Sequence, residues 1–207
     1  CLAGMTDAEG HYRFEELTYN HRKIELIAPD GFADLIFTQE VGAWIDSADV
    51  IIPAIDEERS PWSVAGGGPV SLAHGALVLT AAPGTLNFGI AVDAGLVATQ
   101  VDFGLLAPYL PAADAPGPWA LETAVGTAFI INPIKIMASS PVAVSINEAV
   151  AGLPVAEAGT QYDLYAVDPD TAIAGHVGMA TRDEMGYINS APDGTLTKFS
   201  ALIIVQK

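Results

Sequence analysis

The chain has 207 residues, 51% of them apolar and only 16% charged, which sets disorder aside and leaves room for one large or two small β domains. Its formal net charge is −17, from 8 Lys and Arg against 25 Asp and Glu, a field that repels phosphate and excludes nucleic acid and anionic membrane surfaces as partners. The one cysteine, Cys1, excludes an intrachain disulfide, and no apolar run reaches the about 20 residues of a membrane span.

The sequence opens on Cys1 rather than Met, so it reads as a processed product or a fragment. Cys1 is then a cleavage product or the lipid-bearing first residue of a mature bacterial lipoprotein. An N-terminal nucleophile is set aside, because the flanking sequence lacks the helical pattern such hydrolases use. Thr6-Asp7-Ala8-Glu9-Gly10 is turn chemistry, with Asp bonding its own backbone and Gly accepting positive φ. His11–Leu17 follows as a half-buried strand and Arg22–Ile27 as a second, stopped by Ala28-Pro29-Asp30-Gly31. A two-stranded ribbon is marginal alone in water, and too few residues precede Gly10 for the sheet this ribbon needs. The expectation is an open edge along His11, Tyr12, Arg13, Phe14 and Leu17, completed by something outside the chain.

Further strand runs are read at Leu35–Val41, Asp49–Ile55, Val70–Leu72, Ala76–Thr80, Phe88–Val92, Val97–Phe103 and Thr127–Met137. Others follow at Val142–Ile146, Gln161–Val167, His176–Thr181 and Leu202–Val205. Gly and Pro punctuate them at roughly 8–12-residue intervals, as in sandwiches. Val70, Leu72, Leu77 and Leu79 have the two-residue spacing of strands with one apolar face. Ala201–Val205 is continuously apolar and predicts a strand buried on both faces. Pro133 inside a strand-like run predicts an edge or a bulge. Asn147–Val150 and Ala107–Leu110 can each hold one turn of helix. Residues 56–69 read as a linker, and the proline-rich Pro108–Trp119 as a linker or a long loop.

Motifs for chemistry are sparse. His11, His21, His74 and His176 show no zinc spacing, and no further cysteine joins them. The acidic pairs Asp7/Glu9, Asp168/Asp170 and Asp183/Glu184 lack the EF-hand pattern and read as solvated turn carboxylates, with weak calcium binding as the alternative. Trp44, Trp62 and Trp119 could stack on sugars, but two of them fall at linker or loop boundaries, where inter-domain packing is the common use. Gly66-Gly67-Gly68 precedes Pro69 rather than a helix, so it is no phosphate loop. No Ser-His-Asp set has motif context.

Two resemblances add to this. Thr6-Asp7, Gly10, Tyr12, Phe14, Leu17 and then Glu25 with Ala28-Pro29-Asp30-Gly31-Phe32 resemble the Cna B-type and carboxypeptidase-regulatory-like repeats, which serve as stalks and spacers on cell surfaces. Some of those repeats carry a Lys–Asn isopeptide bond helped by a Glu at the position of Glu25. The family's lysine, however, sits on an early strand that this sequence does not show, and Glu25 reads as a solvated strand residue.

From Gly66 onward the chain is similar to a ZU-five domain, on Gly67-Gly68, Val70, Leu72, Gly75-Ala76, Leu79, Pro83-Gly84-Thr85-Leu86, Gly126-Thr127-Ala128-Phe129 and Asn132-Pro133-Ile134-Lys135-Ile136. The match continues through Tyr162-Asp163-Leu164-Tyr165, Asp168 and Leu196-Thr197-Lys198-Phe199-Ser200. The resemblance implies one sandwich over 66–207 and decides for a loop at Pro108–Trp119. Some ZU-five relatives cleave themselves at His-Phe-Ser. Here Lys198 stands at the histidine position before Phe199 and Ser200, and a lysine is mostly protonated near neutral pH.

These readings combine into an all-β chain of two sandwiches in tandem, Ig-like or prealbumin-like. Residues 1–56 form an incomplete Cna-B-like unit, 57–65 a linker and 66–207 a ZU-five-like unit. The expected role is a non-enzymatic extracellular or cell-surface structural protein, assembled as an appendage or filament by β-strand complementation. The alternative is a monomeric lipoprotein or stalk for adhesion or glycan binding, and a third reading is an autoproteolytic ZU-five-type domain cut at Phe199–Ser200. No cofactor is expected beyond weak Ca²⁺, and partners are copies of the chain, another surface protein or glycans.

Overall fold

A computed structural model describes residues 20–41, 52–58, 60–61, 66–87, 95–103, 125–134, 136–192 and 195–207. The expected strand at His11–Leu17, the run Phe88–Val92, the turn Ala107–Leu110 and the Pro108–Trp119 segment lie outside them.

The first described element is a hairpin. Strands β1 (Asn20–Leu26) and β2 (Leu35–Val41) pair antiparallel from Asn20↔Val41 to Leu26↔Leu35. The connection uses the predicted turn chemistry: Gly31 takes φ +88°, Phe32 N–H donates to the Pro29 carbonyl at 3.1 Å, and Asp34 Oδ1 accepts the Ala28 N–H at 2.9 Å. Of the run read as Asp49–Ile55, residues 49–51 lie outside the described residues. Among the described residues, 52–55 forms no strand but a single bridge, Phe32↔Ala54, beside the turn.

The remaining strands are β3 (Gly68–Leu72), β4 (Leu77–Ala81), β5 (Leu86–Asn87), β6 (Val97–Val101) and β7 (Gly126–Asn132). Then come β8 (Ile136–Asn147), β9 (Gln161–Val167), β10 (Ala174–Arg182), β11 (Tyr187–Ser190), β12 (Leu196–Phe199) and β13 (Ala201–Gln206). They form one antiparallel sheet in the order β3-β4-β8-β11-β10-β9-β13-β7-β6, with β5 and β12 also on β8. The sheet curls until its two ends, β3 and β6, approach each other.

Strand β8 makes the bend. Its first half pairs with β5 and β12, and its second half with β4 and β11. Pro141 sits where the strand passes from one set of neighbours to the other, a place where its missing N–H costs no ladder bond. The run read as Thr127–Met137 is therefore two strands. Pro133 lies in the connection between β7 and β8, not at a bulge, and Val142–Ile146 is the second half of β8. Strands β5, β11 and β12 escaped the pattern reading because they are short and contain as much polar as apolar sequence. The helical turn read at Asn147–Val150 is present as a single turn, closed by Ala151 N–H to the Asn147 carbonyl at 2.9 Å.

Side-chain alternation builds two cores. Inside the curled sheet lie Leu72, Leu79, Phe129, Ile146, Tyr162 and Phe199 among others, with Leu202 and Ile204 from β13. On its outer face, Ala128, Ile130, Tyr165, Val167, Ala201 and Ile203 meet Ala33, Leu35 and Phe37 of the hairpin. Strand β13 runs between β7 and β9 and is buried on both faces, as its unbroken apolar sequence requires. The fold is thus all-β. Its described N-terminal strands are a layer laid on the main sheet, and the apolar face of the β1–β2 hairpin is covered by residues 128–205 of the same chain. Two polar contacts fasten the layer: Asp34 N–H to Asn132 Oδ1 at 3.2 Å and Lys23 Nζ to the Pro169 carbonyl at 3.0 Å.

Candidate functional site

The residues singled out for autoprocessing meet at one end of β9, β12 and β13. After Val167 the chain reverses through Asp168-Pro169-Asp170-Thr171. Asp168 Oδ1 caps the turn by accepting the Asp170 N–H at 2.7 Å, and the Asp168 carbonyl accepts from Ala172 at 2.8 Å. Ala172 closes the turn at φ +58°. Lys198 reaches across from β12, its Nζ 2.6 Å from Asp168 Oδ2 and 3.5 Å from Asp170 Oδ2.

Beside this pair is a cleft of about 380 Å³ whose walls include Ala166, Ile173, Val177 and Thr197. Burial pulls the Asp168 carboxyl upward, but hydrogen bonds from Lys198 and from the backbone N–H groups of Asp170 and Thr171 hold it below its ordinary value. The same hydrogen bond raises the Lys198 ammonium, against the opposing effect of burial.

Phe199 and Ser200 are buried. The Ser200 hydroxyl donates to the Val167 carbonyl at 2.6 Å, and the Ser200 carbonyl accepts the Ile131 N–H at 2.8 Å. A serine that opens its preceding peptide bond must give up its proton to a base. Here the hydroxyl proton points at an amide oxygen, and the amine at the histidine position is kept protonated by two carboxylates. The arrangement ties β9, β12 and β13 together.

A second polar centre was not anticipated from sequence. Glu148, 2% exposed, lies just past β8 and accepts Arg182 Nε at 2.9 Å and the Ala156 N–H at 3.0 Å. Arg182 also donates from Nη1 to the Asp183 carbonyl at 2.9 Å. The buried Tyr162 hydroxyl has no hydrogen-bond partner among the described residues, and its pKa is raised by burial and by the Glu148 charge. The available signal, a Glu beside a lone Arg 34 residues away, carries no spacing rule.

Asp183, of the Asp183/Glu184 pair, spends its oxygens internally. Asp183 Oδ1 accepts the Met185 and Tyr187 N–H groups, both at 2.9 Å, and Oδ2 accepts Asn189 Nδ2 at 2.9 Å. These bonds, Tyr187's first, hold Asp183 below the usual carboxylate range. Among the described residues no group of three or more His, Cys, Asp or Glu could hold a metal ion.

The described histidine side chains are separate. His74 Nε2 is 3.1 Å from Asp56, and His176 Nε2 is 3.0 Å from Asp163 with its ring edge-on to Tyr165. The larger cleft, about 500 Å³, lies between β6, β7 and the 151–154 turn. In its wall, Gln100 Nε2 bonds Thr127 Oγ1 at 3.0 Å and the Ala151 carbonyl at 2.7 Å.

Cys1, the proposed edge residues His11, Tyr12, Arg13, Phe14 and Leu17, the Asp7/Glu9 pair and the three tryptophans lie outside the described residues. No helix among the described residues is long and apolar enough to cross a membrane. Comparison of the chain with protein-family models, with curated proteins and with solved structures finds no match.

Proposed function

We propose that the chain is a non-enzymatic structural protein of the cell surface or extracellular space, whose copies assemble by β-strand complementation. The observation that carries this reading is the fate of its reactive groups. Lys198, Asp168, Asp183, Ser200 and the Glu148–Arg182 pair are each committed to holding strands or turns. The acidic balance suits a soluble surface, and the resemblance takes 66–207 as a ZU-five-like sandwich and 1–56 as part of a Cna-B-like unit. Electron microscopy of the native material tests it. Filaments or ordered arrays are the expected result, and monodisperse single particles at high concentration would overturn the assembly.

One observation favours a second reading, a monomeric stalk or lipoprotein module for adhesion or glycan binding. The hairpin's apolar face is covered from within the chain, so that face asks for no neighbour. Glycan-array binding by a monomer whose Cys1 carries lipid in a mass spectrum would establish this reading in place of the first.

A further inference from the structure

Asp56, Glu57, Glu58 and Ser60 stand where the curled sheet fails to close. Ser60 bridges its two end strands. Its N–H donates to the Leu96 carbonyl at 2.6 Å, its carbonyl accepts the Leu96 N–H at 2.9 Å beside β6, and its hydroxyl donates to the Ser71 carbonyl of β3 at 3.2 Å. Three residues earlier, Glu57 is held by a second device. Ala73 and His74 both take left-handed φ, +51° and +53°, so that their successive N–H groups converge. Glu57 fills that nest with both oxygens, at 2.7 and 2.8 Å, and Asp56 adds the contact with His74. Gly95 fits the segment closely: a Cβ there would stand 2.5 Å from the Ser60 carbonyl oxygen.

Every one of these contacts is polar. No described side chain from Asp56 to Pro61 enters either core, and Asp56, Glu58 and Pro61 are exposed. Among the described residues such a strap is held by hydrogen bonds and an ion pair rather than by its own apolar burial, the term that dominates the stability of the rest. Its departure bares the ends of β3 and β6, and a bared sheet edge is a template for another strand.

We propose that residues 56–60 are a releasable latch, and that the slot they vacate accepts the same segment from a second copy of the chain. The occupant is argued from complementarity: a carboxylate three residues before a hydroxyl is what the Ala73–His74 nest and the Leu96 and Ser71 groups recognise in cis. Exchange of identical segments is a low-cost route to association. This deepens the assembly reading above and rests on it, while moving the complementing edge from His11–Leu17 to β3 and β6.

The test is complementation in trans. In full-length Glu57→Ala/Ser60→Pro, which removes the carboxylate and the Ser60 N–H, hydrogen exchange at Ala73, His74 and Leu96 should speed up at least tenfold, with Leu202–Val205 unchanged. A synthetic peptide of residues 54–61 in large excess should restore protection at those three amides. It should fail when its own glutamate at the Glu57 position is alanine, and when the protein also carries Gly95→Ala. Loss of protection in β13 would make the segment part of the folding core and overturn the latch. Unrestored amides, or restoration that ignores the peptide's glutamate or Gly95→Ala, would overturn the slot. Filaments without complementation would leave the assembly reading standing on another edge; complementation without filaments would leave the slot and remove the assembly.

Discussion

Arg182 Nε sits 2.9 Å from Glu148 Oε2, with the glutamate side chain 3% and the arginine side chain 12% exposed. Each charge is kept out of water only because the other is there. Removing one partner from such a pair costs about 3–5 kcal/mol, because it strands the other. Arg182→Met should therefore lower unfolding free energy in urea by that amount. Glu148→Leu/Arg182→Met should recover part of it but not all, since Glu148 also caps the Ala156 N–H. Equal stability of the single variant and the parent would show the pair to be solvated.

The acid limb of stability should carry the two depressed carboxyls. Asp168 and Asp183 are held below their ordinary value in the fold, so they add stability above about pH 4, the unfolded value. That contribution is lost as pH falls through their lower folded values. Lys198 is raised, so its contribution is complete below about pH 10 and is lost as pH rises through its folded value. Chemical denaturation across pH should show Asp183→Ala flattening the acid fall. Lys198→Met should flatten the alkaline fall and part of the acid one. An acid limb identical in the parent and Asp183→Ala would remove that assignment.

Strand β13 offers a test of the hairpin layer. Ile203 and Ile204 point to opposite cores. Truncation of either to alanine should cost about 2–5 kcal/mol, the range for buried large-to-small changes. If the hairpin did not cover the outer face, Ile203→Ala would be nearly neutral while Ile204→Ala kept its full cost. Thermal denaturation of the two variants separates these outcomes.

Two glycines separate the core from the latch. A Cβ at Gly126 would stand 2.5 Å from the Ile204 carbonyl oxygen within the β7–β13 pairing. Gly126→Ala should cost about 1–3 kcal/mol, as overpacking does. Gly95→Ala meets Ser60 instead, so the melting temperature should change little while exchange at Leu96 accelerates. Parallel calorimetry and hydrogen exchange compare them directly.

The Phe199–Ser200 bond should stay intact. The expected mass is 21.5 kDa after prolonged incubation at neutral pH. Ser200→Ala should leave the mass pattern unchanged but cost about 1–3 kcal/mol, because the buried Val167 carbonyl loses its donor. Two fragments divided before Ser200 in the parent, absent from the variant, would establish the autoprocessing that this geometry argues against.

Individual residues show how far the sequence reached. Leu35–Val41 and Gln161–Val167 were legible to the residue, because runs rich in strong β formers stand there between turn signals. Lys198, Phe199 and Ser200 were legible as a cluster, but their partners were not. Asp168 and Val167 lie about 30 positions upstream, and no local rule relates a lysine to a distant turn carboxylate. Pro133 was ambiguous, since proline reports a missing N–H without saying which neighbour does without it. Glu148 carries no local signal, and only the fold brings Arg182 of β10 beside it.

By itself the sequence determined the all-β class, most strand positions and the double burial of Ala201–Val205. Those follow from local alternation and from unbroken apolar runs. Only the tertiary structure decided that the hairpin lies on the main sheet, that Ser60 spans its two ends and that Glu148, Asp168 and Asp183 are spent on caps and ion pairs. Those are relations between residues far apart in the chain. They are set by which apolar faces must cover one another and by which buried charges must meet.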